Sequence, residues 1–196
     1  MRKLLKSLAR LTALLLVSPL ILLNMIFRSL TFFQGAGQLL AVVPGRIGCY
    51  LRMAFYRRTL TACSDSAIME FGSYFSHWDV TVGDDVYISA YCIVARCVIE
   101  EGVMLSAYTH VLDGGHQHGI KDCTVSFQHQ PKDHDSYKVT IGRGSWIGTK
   151  AVIMADVNPY TVVGAGAVVT RSLPGKTVVG GVPAKVIRSL SGEGER

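Results

Sequence analysis

From Val82 to His116 the chain reads VGDDVY, ISAYCI, VARCV, IEEGVM, LSAYTH, VLDGGH, and the spacing of its aliphatic residues decides the fold. Val82, Ile88 and Val94 stand six apart; after a one-residue slip Ile99, Leu105 and Val111 do the same. The period resumes as IGRGSW from Ile141, IGTKAV from Ile147 and VGAGAV from Val163. A six-residue period is neither that of a helix nor that of a two-sided strand. It suits three short strands joined by tight corners into a triangular coil, each strand turning one large aliphatic side chain inward. Coils stacked at about 4.8 Å would then build one continuous core. The second place of each phrase is usually Gly, Ser or Ala and the fifth is small or β-branched, as crowded corners require. The period alone does not give the hand of the coil.

The phrases match the hexapeptide pattern [LIV]-[GAED]-x2-[STAV]-x. With IGRGSWIGTKAVI followed by VVGAGAVVTRSLPGKTVVGGVPAKVIR, the chain resembles the hexapeptide-repeat acyltransferases over about residues 66–190. The branch is that of galactoside, maltose and polysaccharide O-acetyltransferases. The resemblance implies an all-β, left-handed parallel β-helix, an exception to the right-handed crossover rule. It also implies a homotrimer with active sites between subunits, and acetyl-CoA as acyl donor with no metal. The expected domains are a helical anchor over 1–60, the β-helix over 61–190 and a tail over 191–196.

Between Val111 and Val139 the repeat is interrupted, with an extruded loop near 117–138, and this stretch carries four of the six histidines. Long loops in regular solenoids tend to be functional. The phrase Val111-Leu112-Asp113-Gly114-Gly115-His116 matches the family's catalytic histidine motif, so the resemblance makes His116 the general base. An imidazole with a pKa near 6.5 can take the proton of a sugar hydroxyl as it attacks a thioester and hand it to the leaving thiolate, without a covalent acyl-enzyme. His118 is the rival base if the rung is offset. His110, a rung earlier, is expected on the substrate side, and a zinc site of the γ-carbonic anhydrase kind is disfavoured by spacing. His77 in FSHWD either approaches the site or faces solvent; His129 and His134 are expected as solvated loop residues.

The resemblance further assigns Thr149 and Ala165 to the pantetheine groove, Trp146 to the wall of the acyl site, and Arg171, Lys185 and Arg188 to the nucleotide phosphates. Two departures from the family pattern stand out. Ile153-Met154-Ala155-Asp156-Val157 replaces Ile-x-Pro-Gly-Val, and the Asn158-Pro159-Tyr160 stretch that follows is about two residues short. An assisting Asn of the sugar acetyltransferases falls near Ser89, so no second catalytic residue is carried over, although Asp113 could orient a histidine.

Charge divides the chain. Residues 1–60 hold nine Lys/Arg and no Asp or Glu, and the remainder holds eleven Lys/Arg against fourteen Asp/Glu. The cations lie among Leu, Ile and Phe, which points to an anionic membrane surface and away from nucleic acid. Leu11–Phe27 is a near-continuous apolar run at the lower limit for a bilayer span and is interrupted by Pro19. Leu30–Pro44 follows, and then an amphipathic stretch with Arg46, Arg52, Arg57 and Arg58, expected to lie in the interface. A signal peptide, a single span and a re-entrant or monotopic anchor compete. The last is preferred, because a coenzyme A enzyme is expected on the cytoplasmic side of a bacterial inner membrane. The partner is then a glycan or lipid-linked glycan in surface polysaccharide synthesis, or alternatively a soluble nucleotide-sugar or amino acid. The five cysteines are expected as free thiols in a reducing compartment.

Overall fold

The computed structural model describes residues 2–113, 122–130 and 137–190. Three helices precede the strands: α1 (Arg2–Phe27), α2 (Leu30–Ala41) and α3 (Gly45–Thr59). Sixteen short strands follow, from β1 (Ala62–Cys63) to β16 (Lys185–Ser189). They form three sheets in which almost every neighbour is parallel and lies one coil away. The first runs β1-β4 (Val80–Val82)-β7 (Cys97–Ile99)-β10 (Val139–Ile141) and is continued by bridges through Val157 and Leu173. The second runs from β2 (Ile68–Met69) through β5 (Tyr87–Ile88), β8 (Met104–Leu105), β11 (Trp146–Ile147) and β13 (Val162–Val163) to β15 (Thr177–Gly180). The third runs β3 (Tyr74–Phe75)-β6 (Ile93–Val94)-β9 (His110–Val111)-β12 (Val152–Ile153)-β14 (Val168–Val169). The architecture is therefore a parallel β-helix of six coils, closed by the antiparallel pair β15 (Thr177–Gly180) and β16.

The six-residue period is the inward register. Ile99, Leu105 and Val111 of one coil lie over Ile141, Ile147 and Ile153 of the next, and all six are at most 1% exposed. Each such burial is worth about 1.5–3 kcal/mol, and stacking makes the contributions continuous along the axis. The second place is small because the next coil runs directly over it. A Cβ on Gly142 or Gly148 would lie 2.5 or 2.6 Å from backbone atoms of Pro159 or Ala165. The fifth place turns inside the corner, where Thr109, Thr161 and Thr177 each donate their hydroxyl to a carbonyl three residues back.

The fourth place departs from the expectation that corners need small residues. It adopts left-handed backbone at Gly72, Gly102, Gly144 and Gly166, but also at Asp85, Tyr91, Tyr108, Lys150, Tyr160 and Lys176. The tyrosines offset that strain by stacking on neighbouring coils. The rings of Tyr91 and Tyr108 are parallel with centroids 4.9 Å apart, and Phe71 meets Tyr91 edge-on at 5.4 Å.

The hydrophobic core runs across residue 60. Phe33 of α2 and Phe55 and Tyr56 of α3 are fully buried and pack onto Phe75 and Trp78 at the open end of the first coil. Arg52, expected at a membrane interface, is instead 0% exposed. Its Nη1 donates to the carbonyls of Leu40 (3.0 Å) and Val43 (2.9 Å), and its Nε to that of Met69 (3.3 Å). It thus caps the carbonyl end of α2, where a cation is favoured, and ties α2 and α3 to the solenoid. Arg57 is held by Asp65 (3.2 Å), so the exposed cations of α3 are Arg46 and Arg58. The amphipathic stretch is a cap on the β-helix first.

Candidate active site

The corner between the third and first sheets carries the loop, and its chemistry is built by the coil register. Val80, Cys97 and Val139 are paired across three successive coils, so the residues just before them, Asp79, Arg96 and Lys138, stack at one corner. Asp79 is the hub: Oδ1 accepts from Lys138 Nζ (2.7 Å) and Thr61 Oγ1 (3.2 Å), and Oδ2 from Arg96 Nη2 (3.2 Å). The Lys138 hydrogen bond is the main reason the Asp79 carboxyl titrates below its ordinary range. Its exposure of 29% makes the cluster neither a free surface pair nor a buried one.

His77 stands beside this hub, with its ring 4.9 Å from that of Trp78. Its Nδ1 accepts the Asp79 backbone N–H (2.8 Å), which leaves the proton of the neutral imidazole on Nε2. Burial is the first cause holding its pKa below that of a free histidine, and Arg96 adds to it; the charges of Asp79 and Asp113 oppose. Asp113 enters the loop and Lys138 leaves it, so His77, Asp79 and Arg96 sit at the loop's root. His77 is half-buried at that root and so does not simply face solvent.

His116 and His118, the expected base and its rival, lie outside the described residues, as does His134. His129 belongs to a short 3-10 turn, Phe127–His129, and is exposed. His110 is exposed on β9 (His110–Val111), in register with Ile93 and Val152 on the third sheet. Trp146 is 49% exposed on β11 (Trp146–Ile147) of the second sheet, its Nε1 donating to Ser106 Oγ (2.9 Å). His110 and Trp146 thus flank one edge of the triangle without touching.

Thr149 and Ala165 are brought together. They occupy the same corner in adjacent coils, where the Gly166 N–H bonds the Thr149 carbonyl at 2.8 Å, and both are exposed. The glycines before them permit this approach, since a Cβ on Gly148 would strike Ala165 N. Arg171 does not join them: it lies on the loop-bearing corner, where Ser172 meets Asn158. Lys185 and Arg188 are exposed on β16, paired with Gly180 and Val178. The expected phosphate ligands are therefore spread over two edges of one subunit. Among the described residues no group of three or more His, Cys, Asp or Glu could hold a metal ion. The shortening expected at Asn158-Pro159-Tyr160 is not there: Val157 to Val163 spans six residues, in register with Ile141 to Ile147. The short corner is 154–156, where Asp156 Oδ1 accepts the Thr140 N–H (2.7 Å).

The galactoside O-acetyltransferase of Escherichia coli K12 is 28% identical over 121 residues, 61% of this chain and 52% of that protein. WbbJ of the same organism, provisionally named a lipopolysaccharide biosynthesis O-acetyl transferase, is 30% identical over 120 residues, 59% of this chain and 60% of that one. The chain thus spans between half and two thirds of these relatives. Among solved structures, a galactoside acetyltransferase in complex with coenzyme A superposes with a TM-score of 0.68 at 23% identity, over 83% of this chain and 82% of that one. This likeness bears on the fold. No family model matches the chain. In its repeat, its six-coil solenoid and these relatives the chain is similar to the hexapeptide-repeat acyltransferases.

Proposed function

We propose that this protein is an acetyl-CoA-dependent O-acetyltransferase that modifies a sugar hydroxyl of a surface polysaccharide precursor at a membrane. The observation that carries the reading is the loop emerging between Asp113 and Lys138 from an otherwise unbroken solenoid, with His116 three residues beyond the last described coil residue. Two adjacent corners, Thr149 and Ala165, offer exposed backbone one coil apart for an extended pantetheine arm. Coenzyme A phosphates would meet Arg171, Lys185 and Arg188. Because these cations lie on different edges, a groove shared between subunits of a left-handed homotrimer suits them better than a site on one copy.

In the reaction the sugar oxygen attacks the thioester carbonyl carbon while its proton passes to the His116 imidazole. The tetrahedral adduct then collapses with cleavage of the C–S bond, and the departing thiolate takes that proton back. Such general base work contributes about 10²–10⁴-fold. His77, at the loop root with the proton of its neutral form on Nε2, would serve as a hydrogen-bond donor to the acceptor sugar.

The membrane reading rests on α1. Lys6–Phe27 is long and apolar enough to cross a bilayer by length and composition alone. Ala13 and Val17 are nonetheless buried against the cap, while Leu8, Leu11, Leu15, Leu22 and Ile26, which recur at helical spacing on the opposite face, are 52–65% exposed. A helix whose middle is docked on the folded domain favours an in-plane, monotopic seat over a span, on the cytoplasmic side where acyl-CoA is made. An acceptor on a lipid carrier would share that plane, and WbbJ's name points the same way.

The test is coenzyme A thiol release by the full chain with acetyl-CoA and lipid-linked oligosaccharide, against free and nucleotide-linked sugars. His116→Ala is expected to lose 10²–10⁴-fold in kcat with assembly unchanged. Full activity in that variant, or in His116→Ala/His118→Ala, removes the histidine base; a preference for nucleotide-linked sugars removes the lipid-linked acceptor.

A further inference from the structure

The face that α1 turns toward the protein is apolar in its middle, where Ala13, Val17, Leu20 and Ile21 meet the core, and polar toward its ends. Lys6, Arg10 and Asn24 share the helical face of Ala13 and Val17, whereas the outward face is Leu and Ile. A surface helix of a water-soluble domain would carry polar residues, not Leu and Ile, on that outward face. Near the N-terminal end of α1 this inward polar face lines a cleft of about 500 Å³ between α1, α3 and the first coil. Lys6, Arg10, Arg46 and Arg57 line it, opposed by Asp65 and Glu70, so four cations face two carboxylates.

The cations are not consumed by those carboxylates. Arg57 pairs with Asp65 through Nε (3.2 Å), but its Nη2 and that of Arg10 donate to the Asp65 backbone carbonyl, at 2.7 and 3.2 Å. Those bonds fix both guanidinium groups at the cleft wall. Lys6 and Arg46 are exposed at the same cleft, which also takes in the apolar Met53 and Ile68. A pre-positioned cluster of guanidinium and ammonium groups recognises phosphate, and apolar surface beside it suits the carbon next to that phosphate.

We propose that this cleft binds the phosphate of a lipid headgroup of the membrane in which the outward Leu8–Leu11–Leu15 face of α1 is seated. The inference rests on the membrane reading above and sharpens it: the anchor has a stereochemically defined anion site in addition to an apolar face. The lipid phosphate comes either from an anionic phospholipid of the bilayer or from a polyprenyl phosphate carrying the acceptor glycan. In the second case the cleft is also the acceptor's docking point.

Full-length protein is titrated with vesicles of phosphatidylcholine alone, with 30% phosphatidylglycerol, and with either 2% polyprenyl phosphate or phosphatidylglycerol of equal charge, and bound fractions are read by flotation. Wild-type protein is expected to bind the second composition at least about 10-fold better than the first, from roughly a factor of five per basic residue at a membrane surface. Lys6→Gln/Arg46→Gln should remove most of that difference and leave binding to phosphatidylcholine intact. Lys150→Gln/Lys176→Gln, which removes equal charge from distant corners, should change neither. Stronger retention on 2% polyprenyl phosphate than on phosphatidylglycerol of equal charge assigns the site to the carrier; the reverse assigns it to the bilayer lipid. Equal loss in both double variants overturns the cleft and leaves general electrostatic attraction. Equal binding to all these compositions overturns the cleft but keeps the apolar anchor, whereas no binding to any overturns the membrane reading itself.

Discussion

Asp79→Asn tests whether the corner cluster holds the loop. The carboxylate receives Lys138 at 2.7 Å, Arg96 at 3.2 Å and Thr61 at 3.2 Å. Fully exposed pairs are worth about 0.2–1 kcal/mol and hydrogen bonds to buried charges about 1.5–3 kcal/mol. With donors and acceptor 28–29% exposed, each bridge falls between these limits. Asn keeps one neutral acceptor, so the expected loss is about 1–2 kcal/mol, or roughly 5- to 30-fold in the local opening equilibrium. Lys138 directly precedes β10 (Val139–Ile141), so the opening should be local. Amide exchange of residues 139–141 should accelerate by that factor, while strands of the last two coils keep their protection.

The pH dependence has a definite sign. Because the folded Asp79 pKa is depressed, the cluster's contribution is complete above the ordinary carboxylate range and is lost as pH falls through the folded value. Wild type and variant should therefore differ at pH 7 and converge toward pH 3. If the loop carries the base, kcat falls while KM for acetyl-CoA stays, and Lys138→Met should reproduce the effect with a coupling of about 1 kcal/mol in a double-mutant cycle. Identical exchange at pH 7, or a difference undiminished at pH 3, would refute the hub.

Three further outcomes follow from other parts of the molecule. Arg52→Ala removes the charged donor to the Leu40, Val43 and Met69 carbonyls and leaves a cavity, and should lower stability by about 3 kcal/mol, read as a urea midpoint shift at unchanged m. Gly148→Ala places a Cβ 2.6 Å from the Ala165 nitrogen and the Val163 carbonyl; separating the coils should cost about 3 kcal/mol and raise KM for acetyl-CoA by disturbing the Thr149–Ala165 corner. His77→Gln addresses the imidazole whose pKa burial lowers. In the wild type its contribution is complete above about pH 6.5 and declines as pH falls, so the variant's melting temperature should be flatter between pH 6.5 and 5, and an unchanged slope would show that His77 is not held neutral.

What could be read in advance depended on whether a residue's role repeats with the coil. The inward aliphatics and the second-place glycines recur in every coil, so Val82 to Val163 announced the solenoid before any coordinates. Left-handed backbone at the fourth place recurs too, yet it was hidden because Tyr91, Tyr108 and Tyr160 fill it with rings that stack on neighbouring coils, and a large residue there does not look like a corner. Charge was the least legible. Nine cations in the first sixty residues indicate an anionic surface when counted, but counting cannot tell that Arg52 is inside the cap or that Lys6 and Arg10 face the protein. Only the helical phase of α1 against its neighbours separates those cases. The Asp79 cluster failed to stand out for a related reason. Thr61, Asp79 and Arg96 are 18 and 17 residues apart, one coil each, but the loop inserts itself before Lys138 and stretches the next interval to 42. The same insertion that removes the histidine loop from the repeat removes the lysine that anchors it from view, so the residues supporting a loop of this kind are found by subtracting the loop and resuming the coil count on the far side.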